Sequence, residues 1–244
     1  MVEIRLNEAM ENYEETCKAL EKNGFKKQDS KQIFIKELKD KETAWESLKK
    51  EARKNVEKAE ENLDIESIED IKDLKEFYKL YKNKMKYFGA PQHPFKYFRN
   101  IWGLLHPDKV KGFNCKFKEE VIASKIFFHT GNQIYFIYQV SNPRYLNKKP
   151  NDYLYWKSME WGIENGYKTC NFGQVNAEAK EESHAKGIYN FKKKWTPKLF
   201  QKTAYTRNIE IENKEHHKKR ELWKKSPEII TNILGPFISP RKGY

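Results

Sequence analysis

Apolar positions recur every three to four residues at Met10, Tyr13, Cys17 and Leu20, and Gly24 follows as a stop, a spacing that predicts a first helix. Ile33, Phe34, Ile35 and Leu38 then predict a short strand. Thr43, Trp45, Leu48, Ala52, Val56 and Ala59 mark one face of a second helix, whose other face is Lys and Glu at spacings that support a solvated surface. An acidic stretch with Asp64, Glu66, Glu69 and Asp70 reads as a connection near residues 61–70. Leu74, Phe77, Tyr78, Tyr81 and Met85 form the next helical stripe, which Gly89 ends ahead of Pro91 and Pro94, and residues 95–105 predict one more short helix. From Val110 the pattern changes to three aromatic and β-branched runs, 110–117, 121–129 and 134–140, turned at Lys118-Glu119 and Thr130-Gly131-Asn132. That is an antiparallel meander. A helix over 151–165 with Gly166 just past its end, a strand over 168–172, a helix over 187–195 and a last strand over 199–206 complete the pattern.

Helices first, then a meander, then helix, strand, helix and strand predict an α+β fold around a mixed central sheet. With 244 residues, 38% hydrophobic and 14% aromatic, the chain can bury a substantial core beneath a highly charged surface. The formal charge of +13 attracts polyanions and anionic lipid surfaces in a salt-dependent way. Only seven of the 48 basic residues are Arg, however, and a Lys-rich surface serves solubility equally well. Cys17, Cys115 and Cys170 are odd in number and lack C-x-x-C spacing, which argues for a reducing cytosol over a disulfide framework or a zinc site. His216-His217 has no partner at metal spacing, and no metal site is expected. No apolar run approaches the ~20 residues of a membrane span, and the N-terminus lacks a signal-peptide pattern. From Lys214 to Lys225 the chain is basic, and Pro227, Ile229, Ile230, Ile233 and Leu234 then suggest a short apolar helix, so residues 211–244 read as a basic amphipathic tail.

The most specific order of residues is Pro150-Asn151, Leu154, Trp156, Gly166-Tyr167, Phe172-Gly173, Gly187, Tyr189, Phe191-Lys192 and Trp195. It resembles the C-terminal half of the FemAB-like acyltransferases, which have the GNAT (N-acyltransferase) fold. Residues 49–60 resemble a basic helix of that family, and the run from Phe77 to Phe98 resembles the opening of its second lobe. The resemblance implies a GNAT-like domain over 63–210. It also implies a helical remnant of a first lobe, helix–strand–helix over 1–62, much shorter than in the family.

The resemblance further implies transfer of an aminoacyl or acyl group from an activated donor, aminoacyl-tRNA or acyl-CoA, to an amine of a cell-envelope precursor. The donor is a substrate, so no resident cofactor is expected. Lys192 corresponds to the family's acyl-transfer lysine, with Phe191 shaping the pocket beside it. A fixed ammonium suits this chemistry because amine attack on an ester or thioester develops an oxyanion, whose stabilisation by one well-placed donor is worth about 3 kcal/mol. Tyr138, Ser141, Arg144, Tyr145, Asn151, Gly173, Gln174 and Tyr189 are the expected substrate contacts. Asp152 and Glu160 are the two candidates to accept the amine's proton.

Between Ser183 and Asn208 there is no acidic residue, and Lys186, Lys193, Lys194 and Lys198 are expected to hold the donor's phosphates, whether of tRNA or CoA. The R/Q-x-x-G-x-G/A loop that cradles CoA pyrophosphate in typical GNAT enzymes is absent, which weighs against CoA. A second reading is a non-catalytic polyanion- or partner-binding module on a degenerate GNAT fold. In either reading the expected location is the cytoplasm, with peripheral contact to the inner face of the membrane through the tail and a lipid-linked acceptor.

Overall fold

The computed structural model describes residues 1–207. The expected tail over 211–244, its membrane contact and His216-His217 lie outside the described residues. Among the described residues nine strands form one sheet: β1 (Val2–Asn7), β2 (Lys26–Lys27), β3 (Lys31–Glu37), β4 (Asp64–Ser67), β5 (Val110–Phe117), β6 (Glu120–Thr130), β7 (Gln133–Ser141), β8 (Thr169–Val175) and β9 (Lys198–Arg207). The strand order is β1-β9-β3-β8-β7-β6-β5-β4, with the two-residue β2 also on β9. Every pairing is antiparallel except β7 with β8. The helices are α1 (Tyr13–Lys22), α2 (Lys41–Glu46), α3 (Lys50–Glu60), α4 (Ile71–Tyr87), α5 (Phe95–Leu105), α6 (Pro150–Glu164) and α7 (His184–Lys193).

Two apolar clusters build the core. Ala52, Val56 and Ala59 of α3 and Leu154, Trp156 and Met159 of α6 pack with Phe127, Ile134 and Phe172 of the sheet. Leu74, Phe77 and Tyr81 of α4 and Phe98 and Trp102 of α5 pack with Val110, Ile126 and Val140. Helix α6 is the parallel crossover between β7 and β8, and it is buried on nearly all sides, as its even spread of apolar residues requires. Pro150 opens it at the first helical position, where the missing N–H is not needed.

The meander stands where its periodicity places it, and three other expectations need correction. Val2, Ile4 and Leu6 alternate along β1, a strand that the helical spacing beginning at Met10 obscures, and the first helix starts only at Tyr13. The expected single helix over 43–59 is broken at Ser47–Lys49. Lys49 is extended, its N–H donating to the carbonyl of Lys194, while the Ser47 hydroxyl accepts from buried Lys36. The expected connection at 61–70 contains β4, an edge strand tied to β5 by the Glu66–Lys116 ion pair at 2.6 Å. The strands of residues 1–62 pair with later ones. β1 pairs with β9, and β3 lies between β8 and β9, so the N-terminal strands complete the same sheet as the C-terminal ones.

Candidate active site

The site begins with a defect in the sheet. β7 and β8 pair in parallel only over Gln133–Tyr135 with Thr169–Asn171, and beyond that no pairing joins them. Each strand carries a bulge at the point of departure. The β6–β7 ladder skips Ile137, and the β3–β8 ladder skips Phe172. Gly173 follows at φ +78, a left-handed conformation that favours glycine, and its N–H donates to Asn171 Oδ1 at 2.8 Å. A cavity of about 460 Å³ occupies the gap, lined by Phe136–Gln139 and Ser141 of β7, by Phe172, and by Lys84, Lys125, Asn151, Tyr155 and α7.

Helix α7 is set over this gap by Ser183, whose hydroxyl oxygen accepts from the N–H of Lys186. Its cavity face is His184, Gly187, Ile188, Phe191 and Lys192. Phe191 packs edge-on against Tyr155 with ring centroids 5.0 Å apart. The Lys192 ammonium donates to the backbone carbonyl of Gln174 at 3.0 Å. It lies 3.9 Å from where a Cβ on Gly173 would stand. Burial lowers the Lys192 pKa to about 8. The group remains mostly cationic at neutral pH but sits closer to its titration point than an ordinary lysine.

Five of the expected site residues therefore meet in one cavity: Tyr138, Ser141, Asn151, Phe191 and Lys192. Gly173 and Gln174 stand at its edge through their contacts with Lys192. The others do not line it. Tyr189 packs on Phe34 of β3, with Lys186 and Lys193 above its ring, on the α7 face turned away from the cavity. Arg144 and Tyr145 lie in the 3₁₀ turn Pro143–Lys148. There the Asn142 side chain caps the N–H of Arg144, and the Tyr145 hydroxyl donates to Glu120.

Among the expected phosphate lysines, Lys194 is a correction. It is buried, paired with Asp152 at 2.5 Å, and its ammonium lies over the Phe191 ring. Lys186 pairs with Glu181, and Lys198 with Glu37, each at 2.7 Å. Neither base candidate reaches the cavity. Asp152 is committed to Lys194 and Asn55, with burial pushing its carboxyl up. Glu160 is held by Lys157 and Lys41; burial raises its pKa, but the two ammoniums bring it below the ordinary value.

The cavity residues that sequence reasoning missed include Lys84, Lys125 and Gln139. Lys125 lies mid-strand in β6 at 1% exposure, opposite Gln139 in the ladder. Its ammonium sits 3.4 Å and 3.5 Å from the ring centroids of Phe136 and Tyr155 and donates to Gln139 Oε1 at 2.8 Å. Desolvated cation–π contacts of this kind are worth about 2 kcal/mol each. The effective cost of burying an ion is several kcal/mol, so the rings offset only part of it. Burial first, and the nearby Lys192 charge as well, push the Lys125 pKa well down. The available signal was a lysine at the centre of an otherwise apolar strand.

Comparison with known proteins agrees with this fold. Residues 46–193 match the family model described as "Acetyltransferase (GNAT) domain". The lipid II:glycine glycyltransferase of Staphylococcus epidermidis is 26% identical over 81 residues, covering 33% of this chain and 20% of that protein. The Staphylococcus haemolyticus enzyme of the same name is also 26% identical over 81 residues, covering 33% and 19%. The chain thus spans about a fifth of the length of these relatives. The crystal structure of FemX superimposes with a TM-score of 0.70 at 18% identity, covering 82% of this chain and 71% of FemX. The structure of L-PGS from Bacillus licheniformis gives a TM-score of 0.54 at 15% identity, covering 80% and 66%. Among the described residues no helix is long and apolar enough to cross a membrane.

Proposed function

The chain belongs to the GNAT acetyltransferase family as a FemAB-like member, and we propose that it transfers an aminoacyl or acyl group from an activated ester or thioester to an amine. The observation that carries this reading is Lys192, held on the Gln174 carbonyl in the gap between β7 and β8. In the proposed reaction the acceptor nitrogen attacks the donor carbonyl carbon. The carbonyl oxygen becomes an oxyanion, which the Lys192 ammonium stabilises, worth about 3 kcal/mol. The C–O or C–S bond to the leaving group then breaks. The proton lost by the amine leaves on the departing oxygen or sulfur, because Asp152 and Glu160 are engaged elsewhere and no described carboxylate lines the cavity. Phe191, packed on Tyr155, keeps one wall of the site apolar, which strengthens the Lys192 charge.

The donor is aminoacyl-tRNA or acyl-CoA. The name of the staphylococcal relatives, a glycyl transfer to lipid II, supports an aminoacyl group and a lipid-linked envelope acceptor. Of the four expected phosphate lysines only Lys193 has no ion-pair partner among the described residues, and it is proposed to meet the donor's phosphates with Lys186 beside it. The test is transfer by the full chain, with charged tRNA and acetyl-CoA in parallel, for wild type and Lys192→Ala. Transfer from one donor, lost in the variant while donor binding persists, supports the reading. If neither donor reacts and only salt-sensitive polyanion binding is found, the chain is a binding module instead.

A further inference from the structure

Charge in the cavity is unbalanced in a way that stabilising one oxyanion at Lys192 does not explain. Lys84 of α4, Lys125 of β6 and Lys192 of α7 all line it, and among the described residues no Asp or Glu does. None of the three has a carboxylate within ion-pair distance there. Each rests instead on a neutral oxygen: Lys84 on the Gln139 carbonyl at 2.7 Å, Lys125 on Gln139 Oε1 at 2.8 Å and Lys192 on the Gln174 carbonyl at 3.0 Å. Of the buried lysines outside the cavity, Lys194 is paired with Asp152, while Lys36 rests on the hydroxyls of Ser47 and Thr196. Gln139 itself is fixed from behind, its amide donating to Asn151 Oδ1 at 2.9 Å, and Asn151 donating in turn to Ser141. The Gln139 side-chain oxygen is thereby turned to Lys125. A buried ammonium group with neutral partners lacks a counter-ion, which a ligand entering the cavity can supply.

We propose that Lys125, Gln139 and Lys84 form a binding subsite at the buried end of the cavity for a compact anionic group, a carboxylate or a phosphate. Taking that anion as part of the acyl-transfer substrate rests on the reading of Lys192 above; the anion site does not. The substrate then carries a negative charge within the cavity's length of its reacting carbonyl or amine. A neutral analogue enters with weaker affinity, because it leaves Lys125 without its counter-ion.

The test uses the full chain without any donor. Thermal unfolding and calorimetric titration are run with sodium acetate and with inorganic phosphate, against sodium chloride at matched ionic strength. Saturable binding and stabilisation by one or both anions beyond the chloride control is the expected result, and the anion that binds identifies the group. Two variants probe the site. Lys125→Met removes the charge at similar volume. Gln139→Glu gives Lys125 a counter-ion from the protein, and is expected to keep or raise the melting temperature while displacing the ligand. Each should weaken anion binding by about tenfold or more. The proposal is overturned if acetate and phosphate do no more than chloride, or if both folded variants bind as wild type does. Transfer assays are separate, so failure here leaves the Lys192 reading untouched, and loss of transfer activity leaves the anion site standing.

Discussion

Transfer catalysed by this protein should fall as pH rises through about 8, because the form of Lys192 that stabilises an oxyanion is the ammonium and burial lowers its pKa to about 8. The perturbation is pH itself, with Lys192→Ala as reference. At a pKa of about 8 the charged fraction drops from about nine-tenths at pH 7 to about one-tenth at pH 9, so kcat should fall roughly tenfold over that interval. An ordinary lysine near 10.4 would stay about 95% charged at pH 9, and the rate would hardly change. The acceptor amine titrates in the opposite sense, giving more of the reactive free base at higher pH, so its own pKa is measured separately and divided out. The assay is the initial rate of transfer at saturating donor and acceptor, from about pH 6 to 9.5, with spontaneous donor hydrolysis subtracted. Lys192→Ala should lose about 100-fold to 1,000-fold in kcat and show no falling limb near 8. A wild-type profile without that limb, or a variant within threefold of wild type, would refute the reasoning.

Other consequences can be checked on the same protein. Lys192→Met should be more stable than wild type at neutral pH, since the buried ammonium opposes folding in full below about 8. The gap should close between about 8 and 10.4, as the unfolded chain's lysine also loses its proton, and urea midpoints measured across that range test this. Asp152→Ala leaves Lys194 buried with only Glu51 at 3.6 Å, and should cost about 3 kcal/mol in chemical denaturation, while the folded fraction retains transfer. Gly173→Ala has room around its Cβ but not the backbone freedom, and a left-handed φ of +78 should cost about 1–2 kcal/mol, lowering the melting temperature by several degrees. Lys198→Ala, removing a lysine paired with Glu37 and away from the cavity, should leave donor affinity within about twofold in filter-binding or calorimetric measurements.

Much of the fold could be read along the chain because it depends on local period. The three meander strands, α4, α5 and α6 each bury one face or all faces against the sheet, and their apolar spacing records that directly. Phe191 and Lys192 line one cavity with Phe172, and the sequence motif had already put the three in one group. What the sequence could not decide were contacts between segments far apart. That β1 and β3 complete a sheet with β8 and β9 depends on pairing across nearly the whole chain, which no local pattern encodes. The break of the expected helix at Ser47–Lys49 is imposed by Lys36 and Lys194, distant residues that take its polar groups. The same holds for charge. Lys194 and Lys125 look alike in sequence, each a lysine among aromatic neighbours, yet folding places Asp152 against the first and two aromatic rings and an amide against the second. Whether a lysine is neutralised by a carboxylate or left facing a cavity is set by which side chains the sheet and helices bring within a few ångströms, and only the tertiary structure decides that.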